Sequence, residues 1–517
     1  MYTLGDIPRK TASQYPDACA IVFEGQRWTY RELNERVNRL ANALAALGFA
    51  KGSRAAVLAE NTSKYLETYF AAAKLGMSVT PLNFRLSEEE IVHIVRDSES
   101  SCFLIGDSQV ERAMKIRERL PGIRTWIGFD SESKNLLGYE KMIASASGQE
   151  PTPAVAVDEN DLAVLMYTGG TTGLPKGVMM SHRNLMTAVL SAVIATGFTR
   201  DDATCFVLPL FHVSFWPAFG VLMAGGKVVI NRKPDLNGIL RLIQDEKCTH
   251  INAVPTVYAW MLQLADVDGH DLSSLRSITY AGSPMPIEIL KQCIKKFGPI
   301  LSQGYGMTEA LGVSTLIDRD HFLEGDKSRL LASAGKPVFC AEVDVFDEHD
   351  QPVKTGQIGE IVVKGKHVMM GYWKNPELTQ QTLRGGWYHS GDMGYKDTEG
   401  YIFLVDRKAD MIVTGGENVY PKEVEDVLYE HPAVAMAAVV SAPDPKWGER
   451  VQAVAVLKPG AAVSESELID FCKTKLGGYK CPKAVAFWEA LPTSTIGKIL
   501  RKDVKKKFWE GHARSVN

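Results

Sequence analysis

"YTGGTTGLPKG", residues 167–177, packs four glycines, three threonines, one proline and one lysine into eleven positions. Glycine lets the backbone approach a ligand closely and adopt positive φ. Threonine hydroxyls and backbone N–H groups are donors, and Lys176 adds a positive charge. Such a set suits an anion with several oxygens, most naturally a phosphate chain. A Walker-type loop is excluded, because it needs G-x-x-x-x-G-K-[ST] between a strand and a helix. Here Lys176 stands between Pro175 and Gly177, with no hydroxyl following it. The flanks also differ: "LAVLM" (162–166) reads as a buried strand and "GVMMSH" (177–182) as a second extended run. The loop is therefore expected to join strand to strand.

A chain of 517 residues exceeds one hydrophobic core, so two or more domains are expected. Apolar residues at 45% and charged residues at 23% are ordinary for a globular protein. A formal net charge of −3 argues against bulk nucleic-acid binding. The cluster "RKDVKKKF" (501–508) reads as the solvated face of a terminal helix. The eight cysteines are scattered, with no C-x-x-C pair, so neither a zinc site nor a disulfide framework is expected. Reduced thiols in a cytoplasmic setting fit that usage. No apolar run reaches the roughly 18 residues a membrane span needs.

Working outward from the loop, strand–helix–strand patterns recur. "RAAVLAE" (54–60), an amphipathic stretch "SKYLETYFAAAKLG" (63–76) and "MSVTPLN" (77–83) form one series. "TCFVLPL" (204–210), "KVVIN", "HINAVP", "SITYAGSP" and "LSQGYG" form another, with helical segments such as "LNGILRLIQDEK" between them. Two such series predict two doubly wound α/β lobes, with ligands beyond the C-terminal strand ends. From about Gly335 short turn-punctuated strands predict a small antiparallel β-barrel. Past Asp406 the pattern becomes α+β. The expected fold is thus α/β, with a large body over 1–406 and a smaller domain over 407–517.

Five further motifs follow in order: "AGSPMP" (281–286), "SQGYGMTEA" (302–310), "WYHSGDMG" (387–394), "DRKADMIVTGGENVYP" (406–421) and "TSTIGKILRKD" (493–503). Together with the loop, and nearly end to end, the chain resembles the adenylate-forming superfamily of acyl-CoA synthetases, adenylation domains and luciferases. The resemblance implies two half-reactions: a carboxylate attacks the α-phosphate of ATP, giving acyl-adenylate and pyrophosphate, and the thiol of coenzyme A then displaces AMP. ATP, Mg²⁺, CoA and a small carboxylic acid are the implied ligands, with a homodimer left open.

By that resemblance, Thr168, Gly169, Gly170, Thr171, Thr172, Gly173 and Lys176 would cradle the β- and γ-phosphates. Gly170 departs from the serine common there. Gly282, Ser283 and Pro284 would lie against adenine, and Tyr305, flanked by Gly304 and Gly306, would stack on it. Thr308 would bond the α-phosphate and Glu309 would bind Mg²⁺, which needs few carboxylates beside phosphate oxygens. Asp392 would accept the ribose hydroxyls, and Arg407 would lie near ribose and phosphate. Gly415, Gly416 and Glu417 would line the pantetheine tunnel. Lys498 matches the catalytic lysine, whose cation offsets repulsion between carboxylate and α-phosphate, worth a factor of roughly 10²–10³ in rate. Lys498 and the tunnel loop serve different steps from one domain, so the resemblance implies a mobile C-terminal domain. Its hinge position is Ala409, between Lys408 and Asp410, where relatives often carry Lys or Asp.

"LPLFHVSFWPAFG" (208–220) should border the acyl pocket. Amino-acid-activating relatives usually carry an aspartate in the place of His212, which counts against an amino acid. Phe211, His212 and Trp216 resemble the pattern of medium- and long-chain fatty acyl-CoA synthetases, with His212 also counted among the catalytic candidates. The alternatives are an aryl-CoA ligase for benzoate- or cinnamate-like acids and, more distantly, a catalytically silent nucleotide-binding relative. Lys498 and Glu309 are both present, against the silent reading.

Overall fold

The two flanks of the 167–177 loop are antiparallel partners. Strand Leu162–Thr168 pairs with strand Lys176–Ser181, with Thr168 opposite Lys176 and Leu165 opposite Met179. His182, read as extended, instead begins helix His182–Thr196, whose first turn is capped by Ser181 in a capping box with Asn184. The computed structural model describes residues 2–133, 135–168, 175–233, 235–264, 267–407, 410–414, 417–494 and 498–510.

Among the described residues the body contains two large sheets. The first has eight strands in the order Gly371–Tyr372, Lys176–Ser181, Leu162–Thr168, Ser78–Leu82, Arg54–Leu58, Cys102–Ile105, Thr125–Gly128 and Leu137–Gly138. The second has nine, running Lys336–Pro337, Leu311–Leu316, Leu301–Met307, Ser277–Ala281, His250–Ala253, Ala203–Phe206, Lys227–Ile230, Cys19–Phe23 and Gln26–Thr29. Both have parallel centres with near-continuous apolar strands, as burial on two faces demands. The hairpin at residues 19–29 crosses from the N-terminus to the second sheet, pairing Val22 with Val229. Nothing local in the sequence announces that partner.

Helix Ser63–Leu75 departs from the amphipathic reading, since every one of its residues is buried. Arg36, Tyr139 and Glu150 pair with its Glu67 and Lys74, and aromatic residues of the second lobe pack on Tyr69 and Phe70. Tyr69 stacks on Phe215 with ring centroids 4.7 Å apart, and its hydroxyl donates to the Leu210 carbonyl at 2.9 Å. A single buried cluster accordingly runs through both lobes.

The barrel expected after Gly335 takes the form of a four-stranded antiparallel sheet, ordered Glu342–Phe346, Gly359–Lys364, Tyr388–Lys396 and Ile402–Arg407. Beyond it, strands Ile412–Thr414, Glu417–Val419, Val434–Asp444, Gly448–Leu457 and Ala484–Phe487 form a sheet with helices Pro421–Tyr429 and Glu465–Lys473. This part has its own core around Val424, Leu428, Ala453 and Leu468. Among the described residues no helix is long and apolar enough to cross a membrane.

Candidate active site

Parallel strands place their C-terminal ends on one edge of a sheet, and the motifs sit at those ends. Strand Ser277–Ala281 runs into Gly282, Ser283 and Pro284, and its parallel neighbour Leu301–Met307 runs into Thr308 and Glu309. Ser283 is half-buried there, with Gly282 and Pro284 exposed. Strand Ala203–Phe206 leads on the same edge toward Phe211 and His212. Gly306 shapes this edge. A Cβ on it would lie 1.9 Å from the Leu311 carbonyl oxygen, so only glycine allows the strand to turn back through Thr308 and Glu309.

On the nucleotide side, Tyr305 donates its hydroxyl to Asp392 Oδ2 at 2.7 Å, while Arg407 Nε lies 3.3 Å from Oδ1. Asp392 and Arg407 face each other across adjacent strands. Both carboxylate oxygens thus have a partner, and each keeps lone-pair capacity for a further donor. Gly391 N–H donates to Glu360 Oε1 at 2.9 Å, and Asp392 N–H to Ser390 Oγ at 3.0 Å, which holds the turn. Gly304 lies beside Ala281 on the neighbouring strand.

Around the phosphates, Thr168 and Lys176 face each other at the root of the loop. Glu309 Oε1 accepts the Tyr372 hydroxyl at 2.9 Å. Lys176 Nζ stands 6.0 Å from the centre of the same Tyr372 ring. Thr308 is buried. Among the described residues no group of three or more His, Cys, Asp or Glu could hold a metal by itself. One carboxylate at the phosphate side fits magnesium, which takes phosphate and water oxygens for its remaining ligands.

Lys498 enters this cleft from the C-terminal part. Its loop is closed locally, with Ser494 N–H donating to the Lys498 carbonyl at 2.6 Å and Lys498 N–H to Ser494 Oγ at 3.1 Å. Burial, and then the neighbouring Arg407 cation, push the Lys498 ammonium down to about 8, with Asp392 opposing them. His212 is pushed down to about 4 by loss of solvation and further by the Lys498 charge, so its imidazole is neutral near pH 7. Its Nδ1 lies 3.2 Å from Ser214 Oγ.

The expected acyl pocket is aromatic. Phe211 meets Phe84 edge-on at 5.5 Å. Trp216 opens helix Trp216–Met223 and folds onto the strand that follows Glu309. A Cβ on Gly312 would stand 3.1 Å from Trp216 Cζ2, so glycine at 312 admits the indole.

Thr168, Lys176, Gly282, Ser283, Pro284, Gly304, Tyr305, Gly306, Thr308, Glu309, Asp392, Arg407, His212, Phe211, Trp216 and Lys498 therefore gather along one edge of the body. Glu417 stands apart, exposed on strand Glu417–Val419 of the C-terminal sheet. Gly169, Gly170, Thr171, Thr172, Gly173, Gly415, Gly416 and the hinge pair Lys408 and Ala409 lie outside the described residues.

A family model for AMP-binding enzymes matches residues 8–373, and a model for the AMP-binding enzyme C-terminal domain matches residues 423–498. The chain belongs to the AMP-binding enzyme family. Among its relatives, a feruloyl-CoA synthase of Amycolatopsis is 38% identical over 510 residues, 98% of this chain and 99% of the relative. The medium/long-chain-fatty-acid–CoA ligase FadD8 of Mycobacterium tuberculosis is 35% identical, covering 96% of this chain and 88% of the relative. Among solved structures, the anthranilate CoA ligase AuaEII in complex with anthranoyl-AMP superimposes with a TM-score of 0.91 at 27% identity, covering 98% of this chain and 97% of that one. With these AMP-binding relatives, the chain is a ligase of the AMP-forming acid–thiol class.

Sequence reasoning missed three contributors. Tyr372 sits in "GYW", whose only sequence signal is an aromatic pair after glycine. Gly312 acts through what it lacks. Arg501, read as part of a solvated basic face, is instead drawn inward. Its Nη1 pairs with Asp406 at 2.8 Å, and its guanidinium also pairs with Glu425 on helix Pro421–Tyr429. Lys502, Lys506 and Lys507 of the same helix are exposed as expected.

Proposed function

We propose that the protein joins a medium- or long-chain fatty acid to coenzyme A through an acyl-adenylate. The observation that carries this reading is the meeting of Lys498 with Arg407, Asp392 and His212 in one cleft. A carboxylate and a triphosphate repel each other. Lys498, cationic below about pH 8, stands where it can bridge them as the acyl–phosphate bond forms. Thr308 and Lys176 address phosphate oxygens, and Asp392 with Tyr305 holds the nucleoside. Glu309 would hold a magnesium ion, which would supply further positive charge to the phosphates. Neutral His212 between Phe211 and Trp216 offers no negative charge to pair with a substrate ammonium, which favours a plain hydrophobic acid.

In the second half-reaction the thiol gives its proton to solvent, its sulfur attacks the acyl carbonyl, and AMP leaves with the electron pair of the acyl carbon–oxygen bond of the mixed anhydride. Glu417, with Gly415 and Gly416, belongs to that step. We assign the change between steps to rotation of residues 407–517 against 1–406, about the segment at 408–410. The separate core of the C-terminal part supports this.

A second reading, an aryl-CoA ligase, is favoured by the Trp216 indole lying on Gly312. A flat acid needs no deep channel past that ring, whereas a long chain requires the indole to swing aside. The test is to incubate the protein with Mg-ATP, CoA and a panel of C2–C18 fatty acids, benzoate, cinnamates and amino acids, reading AMP and thioester together. The proposal expects both products, with the best rate from a medium or long fatty acid. Preference for aromatic acids would establish the second reading, and no carboxylate-dependent AMP from folded protein would overturn both.

A further inference from the structure

Two charged side chains address the triphosphate from different parts of the fold, Lys176 from the loop hairpin and Glu309 from the end of strand Leu301–Met307. One residue touches both. Resting on the ligase reading above, we propose that Tyr372 is a positioning residue that holds the Glu309 carboxylate toward the metal and ties it to the phosphate-loop hairpin. The Tyr372 hydroxyl donates to Glu309 Oε1 at 2.9 Å, and its ring lies under Lys176 Nζ at 6.0 Å. The backbone repeats the tie. Met369 N–H donates to the Glu309 carbonyl at 2.8 Å, Met370 N–H to the Met179 carbonyl at 2.9 Å, and Trp373 N–H to the Gly177 carbonyl at 2.7 Å. Tyr372 thus lies on an edge strand paired with the strand that carries Lys176, opposite Val178. Its own N–H donates to Thr379 Oγ1 at 2.9 Å, which fixes the residue's place on the sheet edge.

The physical need is clear. A glutamate has three rotatable bonds, and ordering such a side chain costs on the order of 1–2 kcal/mol. Magnesium tolerates little departure from octahedral geometry. A hydroxyl fixed from the neighbouring sheet selects one orientation before ligands arrive, leaving Oε2 to face the phosphates. Because the same residue rides on the loop hairpin, a shift of the loop carries the carboxylate with it. Tyr372 contacts Glu309 and Lys176 and none of the reacting atoms, which makes its role one of positioning.

The test is Tyr372→Phe, which keeps the ring over Lys176 and removes the hydroxyl. Binding of Mn²⁺ to the enzyme in the presence of a non-hydrolysable ATP analogue is followed by electron paramagnetic resonance. Carboxylate-dependent ATP–pyrophosphate exchange is measured against Mg²⁺ concentration alongside it. Losing a hydrogen bond to a charged group should raise the half-saturating metal concentration roughly tenfold in both. Excess metal should restore most of the rate, and the thermal midpoint should not move. In a Glu309→Gln background the same substitution should change metal binding no further. An unchanged or tighter metal requirement, or a loss of rate that metal does not restore, overturns the proposal. Should Tyr372→Phe fail to fold, Thr379→Val, which removes the Oγ1 that accepts the Tyr372 N–H, should shift the metal requirement in the same direction, and no shift would overturn it. Absence of exchange in the unmodified protein would defeat the ligase reading instead, while the Mn²⁺ measurement would still decide the role of Tyr372.

Discussion

Lys498 and Arg501 stand three residues apart in one basic stretch, and the fold surrounds them differently. Arg501 is matched by Asp406, Glu425 and, at 3.7 Å, Asp410. Burial alone would lower its affinity for the proton, but those carboxylates outweigh it and hold the guanidinium above its ordinary range. Lys498 has no carboxylate within ion-pair distance among the described residues, faces Arg407, and is pushed down to about 8. One cation is satisfied and fastens helix Arg501–Trp509 and helix Pro421–Tyr429 to the strand end at Asp406. The other is left with unspent attraction, the condition a group needs if it is to bind an anion that arrives later. Equal formal charge and near-equal position say nothing about which is which.

The sharpest way to break this contrast is Lys498→Ala. Adenylation, read as carboxylate-dependent ATP–pyrophosphate exchange, should fall by a factor of roughly 10²–10³. Thioester formation from presynthesised acyl-adenylate should be largely spared, and equal loss in both would remove Lys498 from its assigned step. Stability should not suffer. The Lys498 pKa is lowered from 10.5 to about 8 on folding, so the unfolded chain binds more protons between those values and stability from this group rises with pH across that window. Near pH 7 the buried cation opposes folding, and its removal should leave the denaturation midpoint equal or higher.

Arg501→Leu should do the opposite. It leaves Asp406 and Glu425 without their shared cation, at a cost of about 3 kcal/mol. Urea unfolding should show an early loss of the C-terminal part, with both half-reactions declining together. An unaltered midpoint would show that the network carries no net stability.

A smaller effect sharpens the electrostatic side. The ammonium form of Lys498 is half present at about pH 8 and is lost progressively above it, so kcat/KM for adenylation should fall as pH rises through that value. His212 is already neutral above about 4, so His212→Gln should leave this alkaline limb in place. A limb that moved with His212 would show that the imidazole, not Lys498, is the titrating group. Smallest of all, Trp216→Ala should shift the ratio of kcat/KM toward longer acids by roughly tenfold. Chain-length preference that ignores Trp216 would place the acyl chain elsewhere.

Much of the site was legible because its chemistry is written in short, contiguous motifs. "YTGGTTGLPKG" announced a connection from strand to strand, and the strands that flank it are antiparallel neighbours. "SQGYGMTEA" brought Tyr305, Thr308 and Glu309 to one strand end, since Tyr305 lies near the end of the strand and Thr308 and Glu309 directly follow it. What stayed hidden depends on residues distant in the chain. Helix Ser63–Leu75 shows a polar face whose Glu67 and Lys74 are covered by Arg36, Tyr139 and Glu150, and its Tyr69 meets Phe215 and Phe219 of the second lobe. Tyr372 and Arg501 look like ordinary surface-compatible residues until the sheet edge and the domain junction bring their carboxylates within reach.

By itself, then, the amino-acid order determined the succession of parallel-sheet strands, the nucleotide-binding motifs and the class of chemistry, because period, glycine placement and charge act over a few neighbouring residues. The tertiary structure alone decided that Arg501 is ion-paired, that a tyrosine hydroxyl meets the Glu309 carboxylate, and that Trp216 lies on Gly312. Those properties arise from burial and from distances between groups separated along the chain, and electrostatic energy depends on both.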